Sequence, residues 1–185
     1  MNTHSVGQQP KKIGSVLRSE RYDRYIVQLT TSEPLGQLVQ QLVCLGEEAV
    51  GLVTDLLLVN DSLQSLSSYR ELLAIQAPDL IVDVQQLLTI QLIGSLPAGQ
   101  QPPSHALEFG AAVRLVSATE RQTFHRGPDG QLQLCYLPQL TRQLAPDFTG
   151  QYLETLSDQL TLNPAEQSLL AALASDLSWQ QLNKR

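Results

Sequence analysis

Lysine is almost absent from the body of this chain and stands only at Lys11, Lys12 and Lys184. A phosphate-binding loop of the G-x-x-x-x-G-K-[ST] type and a Schiff-base enzyme each need a lysine inside the folded body. A G-x-G-x-x-G fingerprint is also missing from the sequence. The sequence therefore excludes both nucleotide-binding fingerprints and lysine-based covalent catalysis, and we expect a protein that is not an enzyme.

Aromatic residues make up 5% of the chain, so Leu, Val and Ile must fill the core. The two cysteines, Cys44 and Cys135, lie in apolar segments, and we expect buried free thiols because cytosolic chains rarely keep disulfides. The histidines, at positions 4, 105 and 125, show no metal-ligand spacing with them. We therefore expect neither a metal site nor a cofactor.

Long hydrophobic runs are missing too, since none reaches the roughly 18 residues that cross a bilayer. The N-terminus has no apolar segment after its charges and does not resemble a signal peptide. The net charge of −6 and the pI of about 4.9 argue against a general affinity for nucleic acid or an anionic membrane. The expectation is a cytoplasmic protein without membrane insertion.

The chain contains a central apolar stretch over residues 36–60. Hydrophobic residues make up 42% of the whole sequence. Its β-branched residues and polar breaks favour buried strands. Gly51 inside the second apolar run indicates a bulge or bend, which closing a small barrel requires. Leucines at three- and four-residue spacing also fit a helix over the first part, so strand and helix both remain open there; these are Leu35, Leu38, Leu42 and Leu45.

Further strands are predicted on both sides of this stretch. They cover residues 13–18, 24–31, 79–96 (as one strand or two) and 112–118, and a terminal hairpin is expected around the turn at 127–130. Ser68 and Glu71 form a capping-box pattern that predicts a short helix over about 69–76, ended by Pro78.

The C-terminal part changes to a helical pattern from residue 138. Asn163 as cap, Pro164 at the first position and Glu166 at the third predict the start of a second amphipathic helix, and hence a helical hairpin. The two helices of this hairpin either pack on the barrel or offer a docking face to another protein. The candidate partner-binding residues are Leu169, Leu173, Leu177, Trp179 and Leu182.

The predicted fold class is therefore mainly β with α. A small closed or partly open β-barrel with a short inserted helix is followed by a C-terminal helical hairpin. We divide the chain into a disordered tail (1–12), a barrel domain (13–137) and a C-terminal helical extension (138–185).

The segment 13–126 contains the runs IGSVL, YIVQL and GEEAVGLVTDLLLVN, and then IQLIGSL followed by Pro102-Pro103 and FGAAVRLVSATE. In these runs the segment resembles the HAS barrel, the N-terminal β-barrel of HerA-type ATPases, which is related to the N-terminal barrels of ATP synthase catalytic subunits. The helical segment stands where such an ATPase continues into its nucleotide-binding domain. The resemblance implies an assembly or partner-docking element without ATP hydrolysis.

Our hypothesis is a non-catalytic protein-interaction or assembly module that binds a protein partner or itself. The alternative is a small-barrel nucleic-acid-binding accessory factor. The first 24 residues carry five positive and two negative charges, or 5 − 2 = +3. Candidate basic contacts for an acidic partner or a nucleic-acid backbone are Arg18, Arg21 and Arg24.

Overall fold

The computed structural model describes residues 11–30, 37–60, 84–96, 99–101, 103 and 106–182. The helix expected over 69–76 and residues 1–10 of the expected tail lie outside this described part. The backbone of Lys12 already belongs to the first strand.

Six strands of the described part close into an antiparallel barrel. They are β1 (Lys12–Arg21), β2 (Arg24–Leu29), β3 (Leu42–Leu45), β4 (Ala49–Asn60), β5 (Val84–Ser95) and β6 (Ala112–Leu115). Their order around the barrel is β1-β2-β5-β4-β3-β6, and β1 and β6 close it. Four helices follow: α1 (Ala118–Phe124), α2 (Leu137–Gln143), α3 (Pro146–Gln159) and α4 (Pro164–Leu182). The expected class, a small barrel followed by a helical pair, is confirmed.

The first part of the central stretch, where strand and helix both remained possible, contains turns followed by a strand. Residues 37–41 form turns, while Leu42–Leu45 is a strand whose four side chains are all buried. The predicted irregularity at Gly51 is present, because the register of β4 against β5 shifts between Val50 and Gly51.

The terminal hairpin expected around residues 127–130 is wrong. Ala118–Phe124 is a helix, and the two sides of the turn share a single isolated bridge between Arg126 and Leu132. The reason is local, because Ser117 and Glu120 form a reciprocal capping box. Arg114 of β6 holds the same Glu120 carboxylate at 2.7 and 2.8 Å.

Two apolar cores share the barrel wall. Val43 and Leu45 of β3 point into the barrel, whereas Leu42 and Cys44 point outward to a second core shared with the helices. A third cluster joins α3 to α4. Cys44 is buried as expected, but Cys135 is exposed, so the expectation of a buried thiol is wrong there.

Within the described residues, every helix is too short or too polar to cross a bilayer.

Two glycines give opposite predictions for the same substitution. A Cβ on Gly51 would lie 2.3 Å from Ile90 Cγ2 inside the barrel, so Gly51→Ala is expected to lower the free energy of unfolding by about 1–3 kcal/mol. A Cβ on Gly150 of α3 would meet its nearest atom, Ala174 O, at 3.7 Å. Gly150→Ala is therefore expected to stabilise the protein by roughly 0.5–1 kcal/mol, as the matched control. Urea unfolding measures both changes, and equal shifts in the same direction would contradict this account.

Candidate interaction surface

Helix α3 is the layer that joins the barrel to the last helix. Tyr152 and Leu156 belong to the core beneath the outer barrel wall, and Leu153 on the other side packs with Leu170 and Leu177 of α4. All five side chains are at least 93% buried, since the most exposed of them, Leu177, has 7% of its surface accessible. The position of α4 is therefore set by α3, and that of α3 by the barrel.

A chain of buried hydrogen bonds crosses this junction. His125 Nε2 lies 2.8 Å from the Tyr136 hydroxyl, which lies 2.9 Å from the Tyr152 hydroxyl. His125 Nδ1 lies 2.8 Å from the Arg121 carbonyl, an acceptor, so Nδ1 carries the proton and Nε2 accepts from Tyr136. Tyr152 then donates to Tyr136, and each ring is held in one orientation.

Burial favours the neutral form of each of the three hydrogen-bonded side chains. It lowers the pKa of His125 to about 4 and raises the pKa of both Tyr136 and Tyr152 above the usual tyrosine range. These three side chains are thus uncharged at neutral pH. Their role in the described structure is to position α3 against the barrel. No sequence pattern predicts these hydrogen bonds, because successive residues of the three are 11 and 16 positions apart and meet only through packing.

An ion pair locks the start of α4. Both guanidinium Nη atoms of Arg126 donate to the Glu166 carboxylate, and Nη2 also donates to the Thr161 carbonyl at 2.7 Å. Glu166 accepts from the Asn163 amide at 3.0 Å while Asn163 Oδ1 accepts from the Glu166 amide, so the predicted cap is present. The hydrogen bonds from Arg126 lower the pKa of Glu166.

The face of α4 directed away from α3 carries exposed apolar side chains, and we call it the outer face. Leu169 is 50% exposed and Trp179 is 63% exposed. They follow a three- and four-residue spacing with small or polar residues between them, which places them on one side of the helix. The outer face consists of Ala165, Ser168, Leu169, Ala172, Ser175, Asp176 and Trp179.

The five candidate partner-binding residues do not share this face. Leu169 and Trp179 lie on it, Leu173 is half-buried beside the contact with α3, and Leu177 is buried in that contact. Leu182 is the last residue of α4, and its side chain lies outside the described part.

The candidate basic residues lie on the hairpin of β1 and β2. Arg18 and Arg21 are exposed, whereas Arg24 is half-buried and its Nε lies 3.3 Å from the Glu20 carboxylate. Tyr22 at the turn is 70% exposed. The adjoining Asp23 accepts hydrogen bonds from two glutamines of α2, at 2.9 and 3.1 Å, which ties the tip of this hairpin to the helices.

Two of the clefts on the described surface lie beside turns of the barrel. One, of about 350 Å³, opens beside the β3–β4 turn and carries Glu47, Glu48 and Glu108. Another, of about 530 Å³, lies between the 37–41 turn and α3. The described residues contain no group of three or more acidic, histidine or cysteine side chains placed to hold a metal ion.

The buried histidine makes stability depend on pH. The folded pKa of His125 is about 4 against 6.5 for an ordinary histidine, so its stabilising contribution is complete above pH 6.5 and is lost as the pH falls toward 4. The unfolded chain then binds a proton that the folded chain refuses, and the free energy of unfolding should fall by up to about 3 kcal/mol. Urea unfolding at a series of pH values measures this slope.

His125→Gln is the control variant, since glutamine does not titrate. Glu120 contributes in a separate window, because its bond to Arg114 lowers its pKa to about 2 and its share is lost only below pH 4.5. Equal slopes for both proteins between pH 6.5 and 4.5 would contradict the prediction.

The model of a protein family described as a domain of unknown function, DUF8166, matches residues 2–185. The chain belongs to this family. A search of curated proteins finds no match. The family match spans the barrel and the helices together, so the two parts belong to the same family unit.

Proposed function

We propose that this DUF8166 member is a non-catalytic assembly module of the cytoplasm that pairs with a second copy of itself through the outer face of α4. The observation that carries the proposal is the exposure of Leu169 and Trp179, at 50% and 63%, on one side of a single helix. Large aromatic and aliphatic side chains in this position are typical anchors of protein interfaces.

The two apolar faces of α4 are distinct. Leu170, Ala174 and Leu177 already pack against α3, so the inner face has its partner within the chain. The outer face is a second apolar surface and is not needed to hold α4 in place. A helix that is apolar on more than one side usually has more than one neighbour.

The pattern of the outer face suits an antiparallel pair. With the two-fold axis at Ala172, each Trp179 lies opposite Ala165 of the second copy, and each Leu169 lies opposite Ser175. Large side chains thus meet small ones, and both copies use the same surface, as a two-fold dimer requires. A parallel two-fold pair would instead place each residue opposite its own copy, so that Trp179 would meet Trp179.

The barrel adds support through its resemblance to HAS barrels, which act in assembly. We assign no catalytic role to the junction, because both ring nitrogens of the buried His125 are engaged in hydrogen bonds. Neither tyrosine hydroxyl of the same chain reaches solvent, since both residues are at most 2% exposed.

Pairing is testable through the single tryptophan of the chain, Trp179. One helix pair buries less than a standard interface, so we expect a dissociation constant on the order of 10 µM. Sedimentation velocity should show a monomer–dimer equilibrium over this range. Because pairing buries the indole, fluorescence emission should shift to longer wavelength on dilution.

Leu169→Glu places a charge in the interface and should weaken pairing at least about 100-fold. Leu58→Glu on β4 is the matched control, because Leu58 is 60% exposed but lies outside α4, and it should leave pairing unchanged. A chain that stays monomeric at every concentration, with unchanged emission, would overturn the proposal. Equal loss in both variants would show that α4 is not the interface.

A second candidate function is nucleic-acid binding at the β1–β2 hairpin, favoured by the joint exposure of Arg18, Arg21 and Tyr22. It predicts binding of a labelled oligonucleotide whose log affinity falls with log salt with a slope of about −2. Arg21→Ala should weaken binding more than Arg24→Ala, because Arg24 is already paired with Glu20. Unchanged fluorescence anisotropy at low salt would eliminate this candidate.

A further inference from the structure

The cleft between the 37–41 turn and α3 is the largest of those described above, at about 530 Å³. Its polar lining comes from Gln37, Gln40, Gln41 and Thr155. These are amides and a hydroxyl, and none of the described lining residues carries a formal charge. The described lining is therefore neutral, and its chemistry depends on the charged side chains that contact it from behind.

One such charge is the guanidinium of Arg121, on α1. Its Nη2 donates to Gln41 Oε1 over a long 3.4 Å, and the same oxygen accepts from Gln159 Nε2, also at 3.4 Å. Arg121 Nε is buried and has no hydrogen-bond partner within the described residues. Within the described residues, Arg121 therefore makes one long side-chain hydrogen bond and leaves Nε without a partner.

Arg121 differs from the other described arginines, which either have a carboxylate partner or are exposed to water. Arg24, Arg114 and Arg126 each have a glutamate carboxylate within 3.3 Å. Three more, Arg18, Arg21 and Arg142, are exposed to water. Arg121 is only partly accessible, yet no carboxylate of the described residues lies within 4.0 Å of it.

We propose that this cleft binds a carboxylate, with Arg121 as the cationic anchor and Gln41 as the adjoining donor. A bound carboxylate replaces the Gln41 oxygen at the guanidinium. The Gln41 side chain then turns its NH₂ group toward the ligand. The site is separate from the outer face of α4 and does not depend on the pairing proposed above.

The lining favours a carboxylate over a dianion. One guanidinium neutralises one negative charge, and its planar fork matches the two oxygens of a carboxylate. Phosphate or sulfate would bring a second charge into a cleft whose described lining groups are all neutral, and an unpaired, partly buried charge is costly. Burial without a partner also lowers the pKa of Arg121, which agrees with a cation that lacks its anion.

The wall of the cleft is held in place before any ligand arrives. Gln40 has φ of +67°, a left-handed conformation that a residue with a side chain rarely adopts. The backbone N–H of Gln40 donates to the Val53 carbonyl at 2.9 Å, and its side-chain Oε1 accepts from the Thr155 hydroxyl at 3.0 Å. Backbone strain retained in this way is common where a loop is shaped for a ligand.

The test is an NMR titration of the full chain that follows the Nε–H signals of its arginines. Acetate is the probe for a small acid, and trialanine with a free C-terminus is the probe for a chain end. Both are added at constant ionic strength. We expect a saturable shift of the Arg121 Nε–H and of the Gln41 side-chain amide, with a dissociation constant on the order of 1 mM.

Arg114 is the control within the same molecule, because Glu120 already occupies its guanidinium, and its signal should not move. Arg121→Met should abolish the saturable shift of Gln41. If Arg121 moves no more than Arg114, or if chloride or sulfate produces the same saturable shift, the proposal is wrong. Whichever carboxylate probe binds more tightly identifies the source of the ligand, and saturation by either one supports the site.

Discussion

The apolar outer wall of the barrel is the constraint from which the rest of the structure follows. Leu42, Cys44, Val50 and Leu52 point away from the barrel interior, yet each is buried. A leucine or valine left in water at such a position forgoes about 1.5–3 kcal/mol. A closed barrel with this wall therefore needs a cover, and the helices that follow β6 supply it.

Each helix that covers an apolar surface has apolar side chains on its opposite side as well. Helix α3 covers the wall through Tyr152 and Leu156, and this leaves Leu153 on its far side to be covered by α4. Helix α4 in turn carries Leu169 and Trp179 on its own far side, where they remain exposed. The proposed pairing of two copies continues this sequence of layers by one step.

Two polar centres at the same junction differ in how completely they are satisfied. The chain through His125, Tyr136 and Tyr152 has a partner at each ring nitrogen and hydroxyl, so it fixes geometry and has no unmet demand for a ligand. Arg121 makes one long side-chain bond within the described residues and keeps a buried Nε unpaired. Full satisfaction indicates a structural role, whereas the incomplete hydrogen bonding of Arg121 within the described residues is the basis of the carboxylate site proposed above.

Elements with local sequence signals were predictable from the chain alone. Runs of β-branched residues predicted the strands, Gly51 predicted the irregular register of β4, and Asn163 with Glu166 predicted the start of α4, because each pattern acts within a few residues. Which faces of those elements are buried depends on the packing of the folded chain. That packing put Leu177 inside and Trp179 outside, left Cys135 exposed, and joined His125 to two tyrosines. These outcomes depend on contacts between distant segments, and no spacing along the chain encodes a distance in space.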